Sequence, residues 1–185
     1  YKYSDYNWIE NGAPVGRIET YKTTFLVDRV IAHFKAVKST EPAFTFVSFT
    51  SPHKPFHAPP EHLHSYGALP EQTLRGTRTD EVNEGEYRAN RREPRLDRYY
   101  LAMLEALDTE IKRLVETLEQ EIDRPVLFVF LGDNGSAAEV FAAVDDDNVR
   151  SKATLYDGGV RVPLMIWGAG IKGARRSDRL VHLAD

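Results

Sequence analysis

The sequence predicts an α/β protein with a mostly parallel sheet flanked by helices. Two segments, near residues 20–38 and 95–120, repeat apolar residues at helical spacing. Three short apolar runs, at 43–49, 125–131 and 164–167, have the length and the flanking glycine or proline residues of buried strands. Because helical and strand segments alternate along the chain, the helices are expected to cover the faces of the sheet.

Composition limits both the organisation of the chain and its partners. At 185 residues and 42% hydrophobic content the sequence fits one domain with a sizeable core. The formal net charge is −4 with both signs interspersed, which argues against a nucleic-acid partner. No apolar run approaches the roughly 20 residues of a membrane span. Cysteine is absent, so this segment contains neither a disulfide nor a cysteine nucleophile.

The first half of the chain begins with residues 1–20, which show little periodicity and are interpreted as an irregular lead-in. An amphipathic helix follows to about residue 38, and Glu41-Pro42 ends it before the aromatic strand at 43–49. Four prolines between Pro52 and Pro60 then exclude regular structure and stiffen the loop that follows the strand. Rigid loops at strand ends commonly carry functional side chains.

The middle of the chain is polar from 61 to 94 and is interpreted as a surface excursion. Its five arginines either lie in solvent among acidic residues or meet an anionic substrate; they are Arg75, Arg78, Arg88, Arg91 and Arg92. The longest helix follows, and its apolar stripe includes Met103, Leu107 and Leu118. Glu110 and Arg113 are predicted on the solvent side of this helix.

The apolar run at 125–131 leads directly into Gly132-Asp-Asn-Gly135. Asp133 and Asn134 offer hard oxygen ligands for Ca²⁺ or Mg²⁺ at the end of a strand, where ligands of α/β sheets gather. The alternative is a tight turn, because Asp, Asn and Gly accept left-handed backbone conformations. Asp145-Asp-Asp147 is interpreted as a solvated loop, since it lacks the spacing of a calcium loop.

Three separated stretches together resemble the sulfatase branch of the alkaline-phosphatase-like hydrolases. Ser51-Pro-His-Lys-Pro-Phe56 resembles the Pro-His-x-Pro loop of that family. Leu131-Gly-Asp-Asn-Gly135, preceded by the helix that contains Tyr100 to Asp108, resembles its Ser-Asp-Asn-Gly segment. Lys152-Ala-Thr-Leu-Tyr-Asp-Gly-Gly-Val-Arg-Val-Pro163 resembles its Lys-x-x-x-Tyr-Glu-Gly-Gly-x-Arg-Val-Pro signature. The resemblance extends over about residues 20–185 and implies an alkaline-phosphatase-like fold.

The resemblance implies roles for four residues. Asp133 and Asn134 match two metal ligands, normally for Ca²⁺, with Mg²⁺ as the other metal considered. Lys152 matches the lysine that binds a sulfate oxygen, and His53 matches the histidine beside the sulfate and the leaving-group oxygen. Taken alone, His53 has the alternative of a solvent-exposed loop residue and Lys152 that of a surface lysine. His57 and His62 remain candidates for the surface or for the surroundings of the site.

The family's nucleophile motif is missing from these 185 residues. Sulfatases open with a strand ending in paired aspartates, followed by Cys/Ser-x-Pro-x-Arg, whose Cys or Ser becomes formylglycine. Neither feature occurs here, and Ser51-Pro52 lacks both the spacing and the arginine. Gly132 and Asp157 also replace the usual serine and glutamate. We therefore expect the middle-to-C-terminal segment of one sulfatase-like catalytic domain, incomplete at its N-terminus, inactive alone, with formylglycine supplied from upstream.

The function that the resemblance implies is hydrolysis of a sulfate ester, on a small molecule or a glycan, to alcohol and sulfate. One alternative is a phosphodiester or phosphonate monoester hydrolase of the same superfamily. Another is a truncated, non-catalytic binding or interaction module. A sheet edge left exposed by absent strands also predicts self-association. The sequence favours neither a secreted or periplasmic location nor a cytoplasmic one.

Overall fold

The computed structural model describes residues 3–69, 94–137, 140 and 151–182, and its elements follow the predicted alternation in most places. They are β1 (Tyr6–Glu10), β2 (Ala13–Ile18), α1 (Lys22–Ala36), a 3₁₀ turn (Glu61–Leu63), α2 (Pro94–Glu121), β3 (Leu127–Leu131), the short α3 (Asp157–Val160) and β4 (Leu164–Gly168). Both predicted helices and the predicted strands at 125–131 and 164–167 are confirmed. The α/β class is therefore confirmed as well.

The prediction of an irregular lead-in over residues 1–20 is wrong. β1 and β2 pair antiparallel as a hairpin, with Glu10 opposite Ala13. The two residues between them, Asn11 and Gly12, have φ values of 52° and 80°. Positive φ at both central residues is the requirement of a type I′ turn, and Asn-Gly is the pair that meets it at least cost. The Asn-Gly pair was a local signal for this turn, but it did not form part of an apolar periodicity.

The two long helices pack together and form much of the core. Val27, Ile31 and Phe34 of α1 meet Leu114 and Leu118 of α2 in one buried cluster, which we call the basal cluster. A second buried cluster, the apical cluster, surrounds the N-terminal half of α2; it contains Tyr3, Tyr21, Phe56, Leu63, Tyr99, Met103 and Ala106. The C-terminal half of α2 therefore contributes to the basal cluster, and its N-terminal half contributes to the apical cluster.

Glu110 on α2 corrects the predicted solvent side of this helix. Its side chain is only 2% exposed and accepts hydrogen bonds from Thr24 Oγ1 at 2.9 Å and from Arg113 Nε at 2.8 Å. Arg113 also pairs with Asp28 at 2.8 Å. Burial opposes the charge of Arg113, but its bonds to Glu110 and Asp28 outweigh that effect and raise the pKa of the guanidinium. The carboxylate is buried because partners from both helices satisfy it.

The strands at the surface of the basal cluster form an antiparallel pair, not the predicted parallel one. Leu127 of β3 lies opposite Gly168 of β4, and the rings of Phe128 and Trp167 stack at 5.1 Å. Residues 43–49 alternate between half-buried and exposed side chains, as strand residues do, and their inner side chains pack on the basal cluster. They form no strand ladder within the described residues, so the predicted strand at 43–49 is not confirmed.

The outward surface of these segments is apolar. Phe44 is 88% exposed and Phe46 is 77% exposed. Strand β3 also exposes three apolar side chains, those of Leu127, Val129 and Leu131. We call these five residues the outer face. An exposed apolar surface beside an unpaired strand edge is a site for association.

We therefore expect this chain to self-associate as its concentration rises, and Phe46→Lys to shift the equilibrium toward monomer by placing a charge in the outer face. Sedimentation or light scattering over a concentration series measures the effect. Ile9→Lys is the matched control, because Ile9 is 64% exposed but lies on the hairpin. A monomer at every concentration, or equal effects of both substitutions, would contradict the expectation.

Several predictions fall on segments outside the described residues. These are the arginines between 70 and 93, most of the polar excursion, and Asp145-Asp-Asp147. No helix in the described ranges combines the length and apolar character needed to cross a bilayer.

Candidate functional site

The Pro-His-Lys-Pro loop is attached to α2 and to the N-terminal segment. Ser51 is buried, and its hydroxyl donates to the carbonyl oxygen of Met103 at 3.1 Å. Phe56 is also buried and meets the ring of Tyr100 edge to face at 5.9 Å. The peptide bonds before Pro52 and Pro55 are both cis. The loop is therefore fixed to the turn of α2 that contains Tyr100 and Met103.

His53 is exposed at the tip of this loop. Its backbone N–H donates to Thr50 O at 2.8 Å, which closes a turn, and its ring Nδ1 lies 2.6 Å from Lys54 O. Because a carbonyl oxygen only accepts, Nδ1 carries the proton in that contact. The ring orientation is thus tied to the loop backbone.

Asp133 and Asn134 follow β3 in a loop that uses part of their own hydrogen-bonding capacity. Asp133 Oδ1 accepts from the backbone N–H of Asn134 at 2.9 Å, and Asn134 Nδ2 donates to Gly135 O at 2.9 Å. The local geometry at 133 and 134 is a bend held by these two bonds. It does not exclude a metal, because the carboxylate and amide keep further oxygen lone pairs and Asp133 is exposed.

Lys152 lies next to this loop. Its backbone N–H donates to Ser136 O at 2.9 Å, and the hydroxyls of Ser136 and Tyr100 are 3.1 Å apart. The N–H of Gly135 also donates to Gly159 O at 3.0 Å. These bonds bring the second and third motifs together, while the His53 loop reaches the same turn of α2 through Ser51 and Phe56.

The two glycine contacts explain why small residues occur where these loops meet. A Cβ on Gly135 would collide with the carbonyl oxygen of Gly158. A Cβ on Gly159 would collide with Thr154 O and lie 2.7 Å from Ser151 O. At Gly159 the reason for glycine is therefore the close approach of neighbouring backbone.

Burial affects the ionisation of a tyrosine that lies near the Pro-His-Lys-Pro loop. Burial raises the pKa of Tyr21, whose hydroxyl lies near Ser51 and Thr23, so this phenol stays neutral at physiological pH. Asp157 and Arg161 form an exposed ion pair at 3.7 Å across α3, the short helix that contains Gly158 and Gly159. His62 is exposed, whereas the ring of His57 lies 5.4 Å from that of Tyr3.

The donor chemistry of Asp133 and Asn134 fits a hard cation, but two side chains do not complete its coordination. Ca²⁺ takes about six to eight oxygen ligands. In the described parts of the chain no group of three or more His, Asp or Glu side chains is arranged to hold a metal. These two residues would therefore hold the ion together with ligands from elsewhere.

The family model for sulfatases matches residues 1–185, the whole chain. The chain belongs to the sulfatase family. Curated relatives of this sulfatase chain include the N-acetylglucosamine-6-sulfatases of Capra hircus and Bos taurus, each 27% identical over 205 aligned residues. The enzyme of that name from Homo sapiens is 26% identical.

The alignments cover all of the sulfatase chain but 35% of each relative, so the chain spans about a third of their length. No solved structure is significantly similar to it. Family membership confirms the resemblance and the alkaline-phosphatase-like α/β class. Sequence reasoning missed Tyr3, which contacts the His53 loop from 47 and 50 residues away and has no recognisable local motif.

Proposed function

We propose that the complete protein hydrolyses a sulfate ester to an alcohol and sulfate. The observation that carries the proposal is the meeting of three sulfatase motifs around one turn of α2, through Ser51, Phe56 and Ser136. The names of the curated relatives specify a sulfated amino sugar. A sulfated glycan or a small sulfated molecule is accordingly the proposed class of substrate.

The proposed roles follow from the charge that develops as the S–O bond to the leaving group breaks. The Lys152 ammonium binds a sulfuryl oxygen and counters its negative charge. In its imidazolium form, His53 gives the Nε2 proton to the departing alkoxide and keeps its Nδ1–H bonded to Lys54 O. The attacking group is expected from outside these residues, as formylglycine.

Asp133 and Asn134 are proposed to supply two oxygen ligands to Ca²⁺, or to Mg²⁺. When bound, the ion adds positive charge beside the sulfate oxygens. The bond from Asn134 N to Asp133 Oδ1 fixes the carboxylate before any ligand arrives. This orientation reduces the conformational entropy lost on binding.

The mostly parallel sheet also belongs to this proposal. The segment 43–49 begins near Arg124, whose guanidinium donates hydrogen bonds to Glu41 O at 3.0 Å and to Val37 O. It ends near Met103, whose carbonyl oxygen accepts a hydrogen bond from the Ser51 hydroxyl. β3 begins after Arg124 and leads to Ser136 beside Tyr100. Both segments therefore run in the same direction across α2. We propose that they are strands of one sheet whose neighbouring strands lie outside these 185 residues.

The direct test is expression of the complete reading frame and assay of an aryl sulfate, with calcium and with a chelator. Turnover of the sulfate ester that falls when the chelator is added is the expected result. The matched aryl phosphate assay distinguishes a phosphoester hydrolase, which would turn over phosphate in preference to sulfate. A complete frame without a nucleophile motif and without turnover would refute the enzymatic role and leave a binding module.

For the metal, Asp133→Ala in the complete protein is expected to weaken calcium binding at least about tenfold, because a charged ligand is lost. Isothermal titration calorimetry measures this change. Asp178→Ala is the control, since Asp178 is an exposed acid that pairs with Arg176 at 3.3 Å, outside the three motif loops. Equal affinities of wild type and Asp133→Ala would remove Asp133 from the metal site.

A further inference from the structure

Tyr3 is completely buried beneath the Pro-His-Lys-Pro loop, where neighbours on several sides fix its position. Its ring stacks on Tyr21 at 6.1 Å, with 25° between the planes, and lies 5.4 Å from the ring of His57. Its backbone carbonyl accepts the N–H of Lys22 at the start of α1, at 2.6 Å. The Tyr3 side chain is therefore held in a defined position against the loop.

The Tyr3 hydroxyl is directed at the loop backbone. It lies 2.8 Å from Thr50 O and 2.5 Å from His53 O, and the single O–H proton is shared between these two carbonyl oxygens. The two acceptors are the ends of the turn closed by His53 N–H and Thr50 O. Ser51 ties the same turn to α2, through its bond to Met103 O.

The carbonyl groups of this turn also control the imidazole. His53 Nδ1 donates to Lys54 O, the next carbonyl after the one that Tyr3 holds. A rotation of the peptide between His53 and Lys54 would move both oxygens, since His53 O belongs to that peptide and Lys54 O follows one residue later. The position of the Tyr3 hydroxyl is therefore linked to the tautomer and direction of the His53 ring.

We propose that Tyr3 is a positioning residue for His53, which it orients through the carbonyl oxygens of Thr50 and His53. Its importance for catalysis rests on the proposed sulfatase function, whereas the positioning itself does not. Tyr3→Phe removes only the hydroxyl and keeps the ring contacts with Tyr21 and His57. The substitution therefore isolates the two hydrogen bonds from the packing.

The test compares wild type and Tyr3→Phe in the full chain by NMR. Hydrogen exchange of the His53 amide is expected to become about tenfold faster, the effect of losing one buried hydrogen bond of ordinary strength. The imidazole of His53 is expected to change from a single Nδ1-protonated tautomer to a mixture, visible in its ¹⁵N shifts. Loss of packing alone would not change the tautomer of one histidine.

Tyr6→Phe is the matched control. Tyr6 is buried, burial raises its pKa to about 12, and its hydroxyl has no hydrogen-bond partner within the described residues. This variant should leave both His53 measurements at their wild-type values. Changes of equal size in Tyr3→Phe and Tyr6→Phe would overturn the proposal, as would unchanged His53 signals in Tyr3→Phe.

A measurement on the wild-type protein keeps the proposal testable even if Tyr3→Phe does not fold. The shared hydroxyl proton of Tyr3 should exchange slowly enough to give its own resonance, with contacts to residues 50–53. A rapidly exchanging hydroxyl would overturn the proposal. In the complete enzyme, Tyr3→Phe should lower kcat about tenfold with little change in KM. Absence of sulfatase activity in wild type would refute the proposed function and leave the NMR result unaffected.

Discussion

Lys152→Ala in the complete enzyme is expected to lower kcat for sulfate ester hydrolysis by about 10²–10³-fold, with a smaller change in KM. The backbone N–H of Lys152 donates to Ser136 O, two residues after Asn134, and we propose that its ammonium group reaches the sulfate from this position. A positive charge there opposes the negative charge that grows on the sulfuryl oxygens. Steady-state kinetics with an aryl sulfate at saturating calcium measure the change.

Two further substitutions make this kinetic result specific. Lys172→Ala removes an exposed lysine from the segment after β4 and should leave kcat within about twofold of wild type, as surface changes usually do. Lys152→Arg keeps the charge but changes its geometry, so partial activity is expected. A Lys152→Ala enzyme with wild-type kcat would rule out contact between this lysine and the transition state.

Gly159→Ala is expected to destabilise the protein by about 3 kcal/mol, at the upper end of ordinary overpacking. The new methyl group would meet two backbone carbonyl oxygens, those of Thr154 and Ser151, which cannot rotate away as a flexible side chain can. The Gly135 N–H bond to Gly159 O would be disturbed with them. Chemical denaturation of wild type and variant measures the free energy of unfolding.

Gly170→Ala is the control that separates the free-energy cost of crowding from the cost of an unfavourable backbone conformation. Gly170 has a φ of 82° and no atom within 4 Å of a Cβ built on it, so alanine there pays only the left-handed backbone cost, about 1–2 kcal/mol. Gly135→Ala, on the other side of the same contact, should resemble Gly159→Ala. If Gly159→Ala were no more destabilising than Gly170→Ala, the two loops would not be in the close contact described.

Periodicity located most of the regular structure because it depends on neighbouring residues alone. α1, α2, β3 and β4 lie where apolar residues recur at helical spacing or run together. The hairpin was missed because its main signal is the conformation of Asn11 and Gly12 rather than a hydrophobic pattern. The segment at 43–49 shows the reverse case, since strand alternation is local but the ladder requires another strand.

Long-range contacts limited how much of the candidate site could be predicted from the sequence. The motifs identified His53, Asp133, Asn134 and Lys152 without any knowledge of the fold. Nothing local indicated Tyr3, whose hydroxyl acts across 47 and 50 residues. The burial of Glu110 was likewise hidden, because its partner Thr24 is 86 residues away on another helix. Sequence motifs therefore named the candidate site residues, whereas the contacts of Tyr3 and Glu110 emerged only from the structure.

The continuity of α2 bears on how this site responds to motion. The helix has 28 residues and a length of roughly 40 Å, and the basal and apical clusters lie along the same unbroken rod. The loops that carry the three motifs are connected to this helix through Ser51, Phe56 and Ser136. We therefore expect opening of these loops to be coupled to unfolding of the core, as in a single foldon. In the proposed sulfatase site this helix is then a rigid support, and we expect the movements that admit substrate to occur in the surrounding parts of the complete protein.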